Sequence, residues 1–284
     1  MFPMSSSRVF RAASCAVLLW LCAGFAHGEE QPNLASSMTF LKASGLKAQI
    51  KQIPKALLAS LPADAFVDAK TKNRVERLFY GKVDADEWTT FVADELAKGV
   101  DAVALDELIR FYSSRVGRKL GAIQEGALNP WNMQRVREGY TRVAALSDAR
   151  LALLKELVEA GELERFNADA VDAVVRGLLE GYVGQSSKLE LTKEDTEATF
   201  QHSRKIAHSR AGELCLVSLA NGLGSLSDQD LADIRSLFQS RACREAQRAY
   251  QKALQSILQD AAHALGESLR EAAYAARDGG TSSK

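Results

Sequence analysis

Little in this chain opposes helix. Only five of its 284 residues are proline, and runs of alternating apolar and polar residues, the mark of a half-buried strand, are nearly absent. That excludes a sheet-based fold and a proline-rich linker protein. No excess of either charge exists either, with 36 basic against 36 acidic residues. A dedicated nucleic-acid binder shows a strong basic surplus, and tight electrostatic binding to an anionic membrane needs a cationic patch. Neither is expected here. Histidine is scarce, with four in the chain. There is no His-Glu-x-x-His, no Cys-x-x-Cys and no Gly-x-Ser-x-Gly, so no metal, cofactor or serine-nucleophile site is expected.

What is present begins with an export signal. Arg8 and Arg11 precede a short apolar run, Ala12 to Gly24, and Ala26-His27-Gly28 supplies the small-x-small pattern of a cleavage site. The run is shorter than the roughly 20 residues of a membrane span. Residues 1–28 therefore read as a signal peptide and the mature chain as periplasmic, without a transmembrane segment. Cleavage leaves 34 basic and 36 acidic residues. It also removes Cys15 and Cys22, leaving Cys215 and Cys243. Two cysteines in an oxidising compartment predict a disulfide. Straight helices on either side of Gly222–Ser225 would hold the two cysteines too far apart, so the bridge requires a break near Gln239-Ser240.

The mature chain reads as all-α, a helical bundle. Leu105, Leu108, Ile109 and Tyr112 repeat at helical spacing, as do Tyr250, Ala253, Leu254, Ile257 and Leu258. Leu105–Leu128 and Leu231–Leu254, 126 positions apart, align without gaps. Leu105/Leu231, Ser114/Ser240, Arg115/Arg241, Arg118/Arg244, Ala127/Ala253 and Leu128/Leu254 are identical, and Tyr112 falls on Phe238 and Gly117 on Cys243. This predicts two tandem, pseudo-repeated helical units, 29–140 and 141–277, followed by a disordered tail, 278–284. Asp101, Ser227 and Ser147 are expected N-caps, and Gly161 a helix stop. Phe40-Leu41-Lys42 with Gly45 echoes Leu153-Leu154-Lys155 with Gly161. The run from Gly181 to Lys188 reads as a plain interhelical loop.

Asp106–Leu120 resembles the signature of a bacterial exported family, domain-of-unknown-function family 2059. The likeness lies in Phe111-Tyr112, the following serines, Gly117 and Lys119, and extends over residues 35–130 with Thr39–Gly45 as the opening helix. Arg115 or Ser114 stands where that family usually carries proline, and the copy around Cys243 is a degenerate one. The resemblance implies an exported helical domain and no particular activity.

Tyr112, Arg115, Arg118, Arg241 and Arg244 are the candidate anion- or ligand-binding residues, because the arginines cluster at expected helix N-termini. His202, His208 and His263 do not stand at ligand spacing, and no catalytic residue is assigned. The sequence thus favours a non-enzymatic, exported protein that binds an envelope component, peptide or amphiphile between helices. The alternatives are an envelope hydrolase acting on cell-wall material through paired carboxylates, and a structural or stress protein without a small ligand.

Overall fold

The structure is a computed structural model that describes residues 34–62, 66, 68–127, 133–184 and 193–280. The expected signal peptide lies outside them. The described residues form helices and no strands. In chain order they are α1 (Leu34–Ala43), α2 (Leu46–Ser60), α3 (Ala69–Tyr80), α4 (Ala85–Gly99), α5 (Ala102–Ser113), α6 (Arg115–Ala127), α7 (Met133–Ala144), α8 (Asp148–Ala160), α9 (Leu163–Val183), α10 (Lys193–Gly222), α11 (Asp228–Gln239) and α12 (Arg241–Gly280). No helix among the described residues is long and apolar enough to cross a membrane.

The segments related by 126 positions share their helix boundaries residue for residue. α5 ends at Ser113 and α11 at Gln239; a serine, Ser114 or Ser240, follows in extended conformation, and the next helix starts at Arg115 or Arg241. The cause is the same in both. Each serine hydroxyl accepts from the backbone N–H three residues on, Gly117 at 3.1 Å and Cys243 at 3.0 Å. That interaction caps the new helix and fixes the break. Asp101 and Ser227 cap α5 and α11, accepting from Ala104 and Asp230, and the second cap is a full capping box. Tyr112 and Phe238 are both buried against the core, where a ring of that size contributes about 1.5–3 kcal/mol.

The correspondence extends upstream in a different register. α1 and α2 are hinged by Gly45 at φ 78°, α8 and α9 by Glu162 at φ 45°. Gly45 therefore matches Glu162, and Phe40 matches Leu157 rather than Leu153, which corrects the expected echo. In the N-terminal half α1 packs on α2, α4 and α5, and α2 on α4 and α6. In the C-terminal half α8 packs on α9, α10 and α11, and α9 on α10 and α12.

One continuous core joins the halves, from Phe40 to Ala272. Its axis is α12, whose 40 residues span about 60 Å at about 1.5 Å per residue. It touches α2, α3, α4, α5, α9 and α11. Against α9 the two backbones meet through small residues. A Cβ on Gly177 would lie 2.2 Å from the Gln259 carbonyl, one on Gly181 2.0 Å from that of His263, and one on Gly266 2.4 Å from that of Leu178.

Three expectations are corrected. Gly181 is not in a loop; it belongs to the buried face of α9. The tail is not irregular from Asp278, because α12 runs to Gly280. The Cys215–Cys243 bridge does not form, since Cys215 is a free, buried thiol. The break at Ser240 that such a bridge would have needed does exist, and serine capping alone accounts for it. Cys215, in α10, is packed in the core. It is a small apolar filler that accepts from Asn167 Nδ2 at 2.6 Å.

Candidate functional site

The arginines singled out from the sequence face protein groups. Arg115 donates to Asp230 Oδ1 at 2.5 Å, and Lys119 to Oδ2 of the same carboxylate at 2.9 Å. Asp230 is only 1 % exposed, and hydrogen bonds from Lys119 and Arg115 hold its carboxyl well below the usual range. Arg241 reaches Asp101 at 3.2 Å and Glu245 at 2.5 Å. Arg118 donates to the Ser113 carbonyl and Arg244 to that of Ser240, 3.5 Å away. Tyr112 packs edge-on against Phe40, with centroids 5.8 Å apart, and burial pushes its phenol far above its ordinary range. These residues tie the halves together and cover helix ends. They do not converge on a shared open site.

The open site lies elsewhere. α8, α9 and α10 diverge around a cleft of about 660 Å³. Val158, Ala168, Gly212 and Leu216 make an apolar floor, and Lys155, Glu159, Glu162, Glu164, Arg165 and His208 surround it. The hinge positions this rim. α8 stops at Gly161, and Glu162 then takes a left-handed conformation without a side-chain cap. That conformation costs a residue with a Cβ about 1–2 kcal/mol. Below the rim, Asp172 accepts from Arg204 at 3.0 Å and faces His208 at 3.3 Å. Burial raises the Asp169 carboxyl, which accepts from Gln251 at 3.0 Å. Burial likewise pushes the Cys215 thiol up to about 12, so at neutral pH it is a packed thiol rather than a thiolate nucleophile.

Aligning Gly45 with Glu162 and Gly99 with Gly222 sets Leu41 against Val158, Thr89 against Gly212 and Ala93 against Leu216, and Leu41, Thr89 and Ala93 are all buried. Lys51, in place of Ala168, bridges to Asp86 at 2.6 Å across the helices. The rim charges differ as well, with Lys42 and Lys47 where the cleft has Glu159 and Glu164. Sequence reading missed the cleft because its signal is a change of residue size at helix-packing positions, smaller at Val158, Ala168 and Gly212 and larger at Leu216, legible only once α1–α2 are set on α8–α9 at 117 residues and α4 on α10 at 123.

Among the described residues no group of three or more His, Cys, Asp or Glu side chains is placed to hold a metal ion. No protein-family model, curated protein or solved structure matches the chain.

Proposed function

We propose that the mature chain is an exported, periplasmic protein that binds a peptide segment of an envelope component in the α8–α9–α10 cleft, without catalysing a reaction on it. The observation that carries this reading is the contrast between the halves. Leu41, Lys51 and Thr89 align with the smaller Val158, Ala168 and Gly212, and the cleft opens over an apolar floor only in the C-terminal half. Pockets of this kind hold apolar groups and select them by the polar rim. Three carboxylates on that rim against Lys155 and Arg165 favour a segment that sets an apolar side chain beside a basic one. Export is supported by the Arg8/Arg11 flank and the apolar run that follows it.

Two measurements test it. N-terminal sequencing of the exported protein gives a start close to Glu29; a chain retaining Met1 refutes export. Fluorescence anisotropy with a labelled peptide alternating Leu and Lys gives saturable binding, and a Leu/Glu peptide of equal length binds at least tenfold more weakly. Equal affinity for both, or none for either, overturns the assignment.

A further inference from the structure

Contacts across the seam between the halves come in reciprocal couples. Arg115, the first residue of α6, meets Asp230 in the first turn of α11; Arg241, the first residue of α12, meets Asp101 at the cap of α5. The donors are equivalent residues, and each acceptor stands at the N-terminus of the other half's equivalent helix. A second couple involves no charge. A Cβ built on Gly99, at the end of α4, would lie 2.9 Å from Ala249 Cβ on α12. One built on Gly222, at the end of α10, would lie 3.1 Å from Ile123 Cγ2 on α6. Ile123 and Ala249 are again 126 positions apart; Gly99 and Gly222, which end their helices alike, are 123 apart because the turn after α10 is three residues longer than that after α4. The helix pairings agree, since α5 packs on α12 as α11 packs on α6, and α4 on α12 as α10 on α6.

Contacts in which i meets j while the equivalent of j meets the equivalent of i define an isologous interface. A head-to-tail arrangement presses two different surfaces together and makes each contact once. We propose that the halves are related by a pseudo-two-fold axis through this seam. Each half then carries one self-complementary docking surface, formed by α4–α5–α6 in one and α10–α11–α12 in the other. The partner that surface fits is another unit of its own kind. It is supplied within the chain in the monomer, and by a second copy of the chain when halves are exchanged. The relation holds at the seam; α12 outruns α6, and the α3–α12 contact belongs to the first half alone.

The test uses the full mature chain. Gly99→Cys/Ala249→Cys and Ile123→Cys/Gly222→Cys are oxidised under native conditions. Both double variants are expected to form intramolecular disulfides in most molecules: at 99/249 a shift of a few tenths of an ångström gives the Cβ separation of about 3.5–4.5 Å that a bridge needs, and at 123/222 the contact is made through Cγ2, which leaves the two Cβ atoms near the long end of that range. One pair closing while the other stays reduced, in protein of wild-type circular dichroism, overturns the two-fold relation. Should a cysteine variant not fold, alanine double-mutant cycles at Arg115/Asp230 and Arg241/Asp101 replace it, with coupling at both pairs expected and coupling at one pair only contradicting it. For the second copy, chains with one introduced cysteine each, in a Cys215→Ala/Cys243→Ala background, are mixed, unfolded and refolded together at high concentration. Gly99→Cys with Ala249→Cys, and Ile123→Cys with Gly222→Cys, each give disulfide-linked heterodimers, whereas refolding only to unlinked monomers refutes exchange.

Discussion

At the scale of single residues, two side chains sit where physics disfavours them. The Tyr250 ring is fully buried, and its hydroxyl has no hydrogen-bond partner among the described residues. An unsatisfied buried hydroxyl costs about 1–3 kcal/mol, so Tyr250→Phe should stabilise the protein by about 1 kcal/mol. A higher urea midpoint at unchanged slope checks it. Glu162 holds a left-handed conformation in which Gly45 stands at the matched hinge. Glu162→Gly relieves about 1–2 kcal/mol of strain and adds about 0.5–1 kcal/mol of unfolded-chain entropy. The expected result is a gain of about 0.5–1 kcal/mol in the same measurement. Glycine at Gly45 was readable as punctuation, whereas a glutamate in the same conformation carries no sequence signal. That is why the two hinges were first set in the wrong register.

At the scale of elements, the α5–α6 and α11–α12 breaks were legible because a serine cap and an apolar stripe recur at the same spacing. The face α9 turns to α12 was not. Gly177 and Gly181 look like breakers in sequence, yet they let two backbones touch. Alanine would improve a free helix by about 1 kcal/mol. Here a Cβ on Gly181 would lie 2.0 Å from a carbonyl oxygen, so Gly181→Ala should instead cost about 1–3 kcal/mol, read from thermal melting. The cap of α11 sets a pH dependence. Asp230 is held charged by Lys119 and Arg115, so its folded pKa lies below the unfolded value of about 3.9. Its contribution is present above that value and is lost as pH falls towards the folded pKa, where the unfolded chain binds the extra proton. Asp230→Asn should lower the melting temperature at pH 7 and flatten its decline between about pH 4 and pH 2. A decline as steep as that of the wild type would count against the pairing.

At the scale of the whole molecule, fold class followed from composition and periodicity. The bridge between Cys215 and Cys243 did not, because compartment and count say nothing of burial. Cys215 fills a core position in α10. The arginines were read as anion ligands because sequence shows helix starts but not the carboxylates folded against them. The cleft was invisible for a related reason, since it depends on small residues such as Gly212 and Ala168 at positions where helices pack. Gly212→Leu tests it most directly. The nearest atoms to a Cβ at Gly212 belong to the Glu164 carboxylate, at 3.1 Å, a movable side-chain end. Leucine there should fill the cleft while removing a glycine from mid-helix, worth about 0.8–1 kcal/mol. The account predicts a melting temperature equal to or above that of the wild type, together with at least tenfold weaker binding of the Leu/Lys peptide. Undiminished binding in a folded Gly212→Leu protein would contradict it.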